Sequence, residues 1–305
     1  MKDVDKTSQY IVLILGYGEM GHAMEYLLKD RHPLFIWEKF PEQGFQSVHL
    51  EKVVPESDIV LFCLPVNPHR EVLNAIREGL KPGSTCLSIA KGLDEAGTTA
   101  AQIFQEALDP GAYALLYGPM IAEEIRAGRP AFAQLGCNND TVFSAIRDLY
   151  NGSQLYLEQT ADITGITWSV VLKNVYALVF GMADELRLGD NMRGFLAVAA
   201  LRELDQIARL MGGAAGSPFH LAGLSDLMKT ATSESSHHHE LGQELARGDT
   251  ENLTGEGLHT LQMVIKHHLF NINDYPLFRL IESVAQNPDR VETRLKTYLA
   301  EVFHP

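Results

Sequence analysis

Cysteine is scarce: Cys63, Cys86 and Cys137 are the only three in 305 residues. An odd, widely spaced set excludes a disulfide framework and argues against a Cys-based metal site. Cys63 and Cys86 lie inside apolar runs, where cysteine behaves as a small hydrophobe, and a reducing cytoplasm suits all three. Cations are also in deficit, with 25 Lys plus Arg against 39 Asp plus Glu and a formal net charge of −14. Nucleic-acid binding rests on clustered Lys and Arg, so no such partner is expected. No stretch approaches the ~20 uninterrupted apolar residues of a membrane span. The mixed-charge start, Met1-Lys2-Asp3-Val4-Asp5, lacks the apolar core of a signal peptide, and no membrane partner is expected. There is no internal repeat and no long low-complexity segment.

What is present suits two domains. Tyr10–Leu15 is a continuous apolar run ending in glycine, which reads as a strand buried on both faces of a parallel sheet. Further short runs occur at Leu34–Trp37, Asp58–Leu64 and Ser84–Ile89, with helical patterns at Met20–Leu28, His69–Gly79 and Thr98–Leu108. Strands alternating with helices imply right-handed βαβ units. Runs at Tyr113–Tyr117, Phe132–Leu135 and Gln154–Leu157 extend the sheet. After about Thr160 helical periodicity dominates: Ile163–Leu188, Met192–Met211, Ser225–Arg247, Glu256–His268, Pro276–Ala285 and Pro288–Val302. The expected fold is a Rossmann-type α/β domain over residues 1–160, mainly parallel, followed by an all-α domain over 161–305.

Gly16-Tyr17-Gly18-Glu19-Met20-Gly21 falls between a strand and a helix. In that position the first glycine permits the tight turn, the second lets backbone approach a pyrophosphate, and the third allows close helix–strand packing. The helix N-terminus adds free N–H groups and a positive dipole. Glu38 ends the second run, 22 residues after Gly16, where an acid accepts hydrogen bonds from the adenine ribose and repels a 2′-phosphate. NAD is therefore expected in preference to NADP.

Several further segments carry a resemblance. They are Ala90-Lys91-Gly92-Leu93; Gly118-Pro119-Met120-Ile121-Ala122-Glu123-Glu124 with Gly128-x-Pro130; and Val171-Leu172-Lys173-Asn174-Val175, continued by Gly181-Met182-x-Asp184 and Asn191-x-Arg193. Ala222-Gly223-Leu224-Ser225-Asp226-Leu227 with Thr230 completes the set. In this order they resemble NAD(P)-dependent sn-glycerol-3-phosphate dehydrogenase over most of the chain. The resemblance implies a Rossmann domain with a helical domain behind it, and hydride exchange between NAD and a small polar alcohol or ketone. It implies that Lys91, Lys173, Asn174, Asp226 and Thr230 line the reacting centre, with Lys173 as proton donor or acceptor. Pro65, Lys91, Ala122 and Glu256 join the cofactor contacts, and Gly118 and Ser236 the substrate contacts.

The chemistry is consistent with the residue types. Hydride transfer leaves or consumes a proton on the substrate oxygen, so an acid/base must sit there. Lys173 lies in an otherwise apolar helical stretch, Trp168–Phe180, where burial disfavours its charge and lowers its pKa. Asp226 is expected to hold the ammonium and relay the proton, with Thr230 one turn later on the same face. The sequence departs from the family at Met120, in a short Trp37–Asp58 segment and, with the largest physical consequence, at the phosphate. The arginine-containing unit that grips phosphate is replaced by Ser236-His237-His238, and no arginine occurs between Arg209 and Arg247. Histidine offers at most one charge near its pKa where arginine offers a permanent planar fork. Either the substrate differs, or His237, His238 and Lys91 hold the phosphate by a rearranged set of donors. Consecutive histidines on a helix point about 100° apart and cannot share one ion, so no metal is assigned. The apolar stretch Phe195–Leu204 suggests a homodimer through the helical domain.

Overall fold

The computed structural model describes residues 9–232, 236–249 and 253–304; the segment Met1–Asp5 discussed above lies outside them. The chain divides into two compact units. One holds residues up to Ala90 together with Ala100–Ile163, and the other holds Lys91–Thr99 together with everything from Thr164 onward.

The first unit alternates strands with helices: β1 (Val12–Leu15), α1 (Glu19–Leu28), β2 (Leu34–Trp37), α2 (Leu50–Val53), β3 (Ile59–Phe62), α3 (His69–Ile76), β4 (Thr85–Ser88), α4 (Ala100–Ala107), β5 (Tyr113–Tyr117), α5 (Ala122–Arg126), β6 (Ala131–Gly136), α6 (Asp140–Leu149) and β7 (Leu155–Thr160). The strands form one sheet in the order β2-β1-β3-β4-β5-β6-β7. Every pair is parallel except β5 with β6. Every residue of β1, β3 and β4 is buried, which is why their sequences run apolar without alternation. Because β1 lies between β2 and β3, successive crossovers leave it in opposite directions. The crevice at the C-terminal ends of β1 and β3 is therefore the topological switch point, where open α/β sheets bind ligands.

The second unit is helical: α7 (Ile163–Glu185), α8 (Gly189–Leu210), α9 (Asp226–Thr232), α10 (His237–Arg247), α11 (Glu256–His267), α12 (Pro276–Gln286) and α13 (Val291–Phe303). The single helix expected over Ser225–Arg247 is instead two described helices, α9 and α10. Every residue of α7 from Gly165 to Ala183 is buried, so it shows no polar face. It has the length and hydropathy of a membrane-crossing helix, with 89% of its most apolar window buried inside the protein. Glycines let neighbouring helices come close to it. A Cβ on Gly242 of α10 would stand 2.1 Å from the Leu178 carbonyl, and one on Gly257 of α11 would stand 2.5 Å from the Asn174 carbonyl. Buried Glu203 of α8 ties the unit together. It accepts the Tyr176 hydroxyl at 2.8 Å and the Leu277 and Phe278 amides at 2.7 and 2.9 Å, thereby satisfying the first turn of α12.

The segment Lys91–Thr99 is pinned within this unit by α11. Rings of His259 and His267 donate from Nε2 to the carbonyls of Leu93 and Glu95 at 3.0 and 2.9 Å.

Candidate active site

In the first unit, Gly16 turns the chain after β1 with φ +94°, and a Cβ there would stand 2.9 Å from the Cys63 carbonyl. A Cβ on Gly21 would meet the Gly16 carbonyl at 2.3 Å, so only glycine lets α1 begin this close to the turn. At Gly18 nothing lies within 4 Å of the Cβ direction. Gly18 occupies the N-cap of α1, and no side chain caps the helix. An open cradle with uncapped amides at a helix N-terminus suits a diphosphate. Glu19 and Met20 form the first turn beyond it. Glu38, at the end of β2, accepts the Tyr17 amide at 2.8 Å and the Phe40 amide at 3.0 Å. Its carboxylate is thereby anchored to the glycine-rich turn. Tyr17 also stacks on Phe45, with ring centroids 4.8 Å apart. These residues fit a nicotinamide dinucleotide.

Pro65, just past β3, is held by His69. The Pro65 carbonyl can only accept, so Nδ1 of His69 bears the proton at 2.8 Å, and Nε2 accepts the Ser88 hydroxyl at 2.9 Å. Burial lowers the pKa of this ring to about 4, which keeps it a neutral strut between the ends of β3 and β4. Gly118 follows β5, and a Cβ on it would meet the Phe132 carbonyl at 2.3 Å, so packing against β6 already requires glycine. Ala122 opens α5 and belongs to the apolar core.

In the second unit the polar residues converge. Lys173 projects from the fully buried α7, and its Nζ lies 3.1 Å from Oδ2 of Asp226. The same ammonium donates to Thr230 Oγ1 at 2.9 Å. Asp226 begins α9 after a π-helical turn, Leu221–Ser225. The Thr230 hydroxyl donates to the Asp226 carbonyl at 2.8 Å, which leaves its oxygen facing Lys173. Lys91 reaches the same Oδ2 at 2.7 Å, and Lys229 lies 3.2 Å from Oδ1. That last contact attracts, but Oδ1 makes no hydrogen bond, so the Lys229 N–H groups are not aligned on it. Three ammonium groups thus surround one carboxylate whose side chain is 0% exposed.

The electrostatics follow from this crowding. Burial, helped by the charges of Lys91 and Lys229 and opposed by Asp226, lowers the Lys173 pKa to about 7. Burial would raise Asp226, but Lys173, Lys91 and Lys229 together outweigh it and hold its carboxyl well below the usual carboxylate range. Asp226 is suited to holding ammonium groups and poorly suited to the proton relay expected from the sequence.

Asn174 is buried beside Lys173 and donates from Nδ2 to Glu256 Oε2 at 3.2 Å. Burial raises the pKa of Glu256, with Lys91 and Lys173 opposing the shift. Among the described residues, Asn174 Oδ1, His238 Nε2 and Thr260 Oγ1 are buried polar atoms without a hydrogen-bond partner. Such atoms call for a ligand or water.

The histidine segment starts α10. Ser236 occupies the N-cap without a side-chain capping bond. His237 is exposed, and its Nε2 is spent on the Thr254 carbonyl at 2.8 Å. His239 is joined to Asp184 at 2.6 Å, an acid that Arg193 also grips. Burial, with the charges of Lys173, His237 and Lys229, pushes His238 down to about 3. The ring of His238 is therefore neutral and supplies no charge.

Of the residues singled out from the sequence, Lys91, Lys173, Asn174, Asp226, Thr230, Glu256 and His238 share the helical unit, four of them in one contact network. Gly16, Tyr17, Gly18, Glu19, Met20, Gly21, Glu38, Pro65, Gly118 and Ala122 belong to the sheet unit. Lys229 was missed. Its signal was available: three residues after Asp226 on a helix, it shares that residue's face.

The chain matches the family model for the NAD-dependent glycerol-3-phosphate dehydrogenase N-terminus over residues 37–143 and that for the C-terminus over residues 162–296. It is 29% identical to a glycerol-3-phosphate dehydrogenase (NAD(P)+) of Mycobacterium avium, covering 95% of this chain and 94% of that one. The corresponding enzyme of Thermosynechococcus vestitus is also 29% identical, covering 96% and 97%. Among solved structures, a glycerol-3-phosphate dehydrogenase of Coxiella burnetii superposes with a TM-score of 0.81 at 21% identity, covering 97% of this chain and 99% of that one. With both halves of the sequence matched by the same family, and the fold shared along nearly the whole length, the chain belongs to the NAD-dependent glycerol-3-phosphate dehydrogenases.

Proposed function

We propose that this protein interconverts dihydroxyacetone phosphate and sn-glycerol 3-phosphate, with Lys173 as the group that exchanges the proton. The observation that carries the proposal is a lysine buried on a fully enclosed helix, paired with a carboxylate that cannot readily take its proton. The nicotinamide dinucleotide, when bound, supplies a hydride to the carbonyl carbon or accepts one from the alcohol carbon. In the reducing direction the Lys173 ammonium gives its proton to the substrate oxygen and is left neutral; in the oxidising direction the neutral amine takes that proton back. Asp226 and Thr230 hold Nζ in place for both directions. Asn174 offers its unpartnered Oδ1 and its amide to substrate hydroxyls, and Lys91 adds a second ammonium beside the reacting oxygen.

Gly16, Gly18 and Gly21, with Tyr17, Glu19 and Met20, cradle the dinucleotide phosphates. Glu38 faces the adenine ribose, and its negative charge disfavours a 2′-phosphate, giving preference for NAD over NADP. Pro65, Ala122 and Glu256 complete the cofactor contacts, and Gly118, Ser236 and His238 the substrate contacts. The protein works in the cytoplasm, a setting that suits its three free cysteines. It works as a homodimer through the helical unit, where Val198 and Leu210 of α8 are exposed, and engages neither nucleic acid nor membrane.

The test is oxidation of NADH by the purified protein with dihydroxyacetone phosphate. Saturable turnover supports the reading. NADH binding without turnover of this or any other ketone tried would favour a dinucleotide sensor.

A further inference from the structure

The family's phosphate-gripping arginine has no counterpart here: Ser236-His237-His238 stand at its position. His237 Nε2 is hydrogen-bonded to the Thr254 carbonyl, His239 is joined to Asp184, and the half-buried ring of His238 is held neutral by burial and the neighbouring positive charges. A dianionic substrate nevertheless needs a cation within reach in a protein of net charge −14, because the protein as a whole repels it.

We propose that Lys229 is that cation, and that its ammonium together with the His238 ring binds the phosphoryl group of the substrate. The inference rests on the preceding reading of the reaction and adds a residue that the family pattern does not assign. Three observations carry it. Lys229 is 27% exposed at the side chain while Lys173 is 4% exposed, so it is the cluster member more open to an incoming anion. Its one ion pair among the described residues, 3.2 Å to Asp226 Oδ1, lacks hydrogen-bond alignment, which leaves its donors available. Finally, Lys229 converges with Lys91 and Lys173 on the single carboxylate of Asp226, which concentrates positive charge at one point.

His238 supplies a neutral donor to the same anion. Its Nε2 is buried without a partner, and its Cδ2 lies 3.2 Å from where a Cβ on Gly257 would stand, beside Asn174. A lysine binds phosphate as a point charge, without the two-pronged geometry of arginine. The subsite therefore selects for charge more than for shape.

The test is calorimetric binding of inorganic phosphate and of glycerol 3-phosphate, with glycerol as the uncharged arm, to the full-length protein. Lys229→Met should weaken both anions by about tenfold to a hundredfold. Lys229→Arg, which keeps the charge, should stay within about threefold of the parent. Lys296→Met, on the exposed face of α13, serves as the charge control and should change nothing. For the parent, anion affinity should fall as salt rises. Parent protein that binds neither anion, or Lys229→Met protein that binds them as the parent does, overturns the assignment. Binding requires no turnover, so failure of this subsite is distinguishable from failure of the proposed reaction. A parent that binds phosphate through Lys229 yet leaves NADH unoxidised would sink the reaction and keep the subsite.

Discussion

Lys173 and Asp226 form a 3.1 Å ion pair in which the amine is 4% exposed and the carboxylate is 0% exposed. The same carboxylate is shared by Lys91 and Lys229. Sharing divides its attraction among three cations, so burial prevails at Lys173 while Asp226 stays ionised. A proton that is easily released is thereby set against an anion that does not take it.

The pH dependence follows. With a Lys173 pKa of about 7, the amine is protonated below that value and neutral above it. Ketone reduction needs the proton, so kcat/KM for dihydroxyacetone phosphate should be level at low pH and fall as pH rises through about 7. Alcohol oxidation needs the free base and should rise through the same range. Two profiles that bend the same way near neutrality would contradict this assignment.

Asp226→Asn removes the anion that, among the described residues, contacts all three lysines. Stripping one partner from a buried charge network costs roughly 3–5 kcal/mol, and the Lys173 limb should move to lower pH. The parent carboxyl is held below its ordinary range, so it binds its proton less readily folded than unfolded. Its stabilisation is complete above the usual carboxylate range and is lost as pH falls below it. Urea unfolding across acid pH should therefore show a flatter curve for the variant. Equal stability of the two proteins at neutral pH would remove Asp226 from the account.

Coenzyme choice tests the other unit. Glu38 is tied to the Tyr17 and Phe40 amides, so Glu38→Ser loses both an anchor for the glycine-rich turn and a negative charge. The ratio of kcat/KM for NAD over NADP should fall by about tenfold or more. An unchanged ratio would show that this acid does not meet the ribose.

Packing supports the site. A Cβ on Gly257 would stand 2.5 Å from the Asn174 carbonyl, so Gly257→Ala must push α11 away from α7. The expected cost is about 1–3 kcal/mol, together with a raised KM from the displaced Asn174 and Glu256. A variant as stable and as active as the parent would mean that the contact is slack.

Much of this was legible in the chain itself. The central strands were visible because strands buried on both faces are written as unbroken apolar runs, and the helical half was visible by the change of pattern after about Thr160. The antiparallel pairing of β5 with β6 was not visible, since an apolar run carries no mark of its direction. The role of Lys91–Thr99 was hidden because its partners, His259 and His267, lie more than 160 residues away. Lys229 went unnoticed for a different reason. Its spacing from Asp226 marks a shared helix face, but only the folded positions show Lys91, Lys173 and Lys229 facing the same carboxylate.

Single-turnover oxidation of prebound NADH by Lys173→Met, with dihydroxyacetone phosphate at saturation, tests the proton-exchange role most directly. The rate should fall by roughly 10²–10⁴-fold, with the NADH dissociation constant within about twofold of the parent. A variant that turns over within tenfold of the parent while folded and loaded with NADH would contradict it.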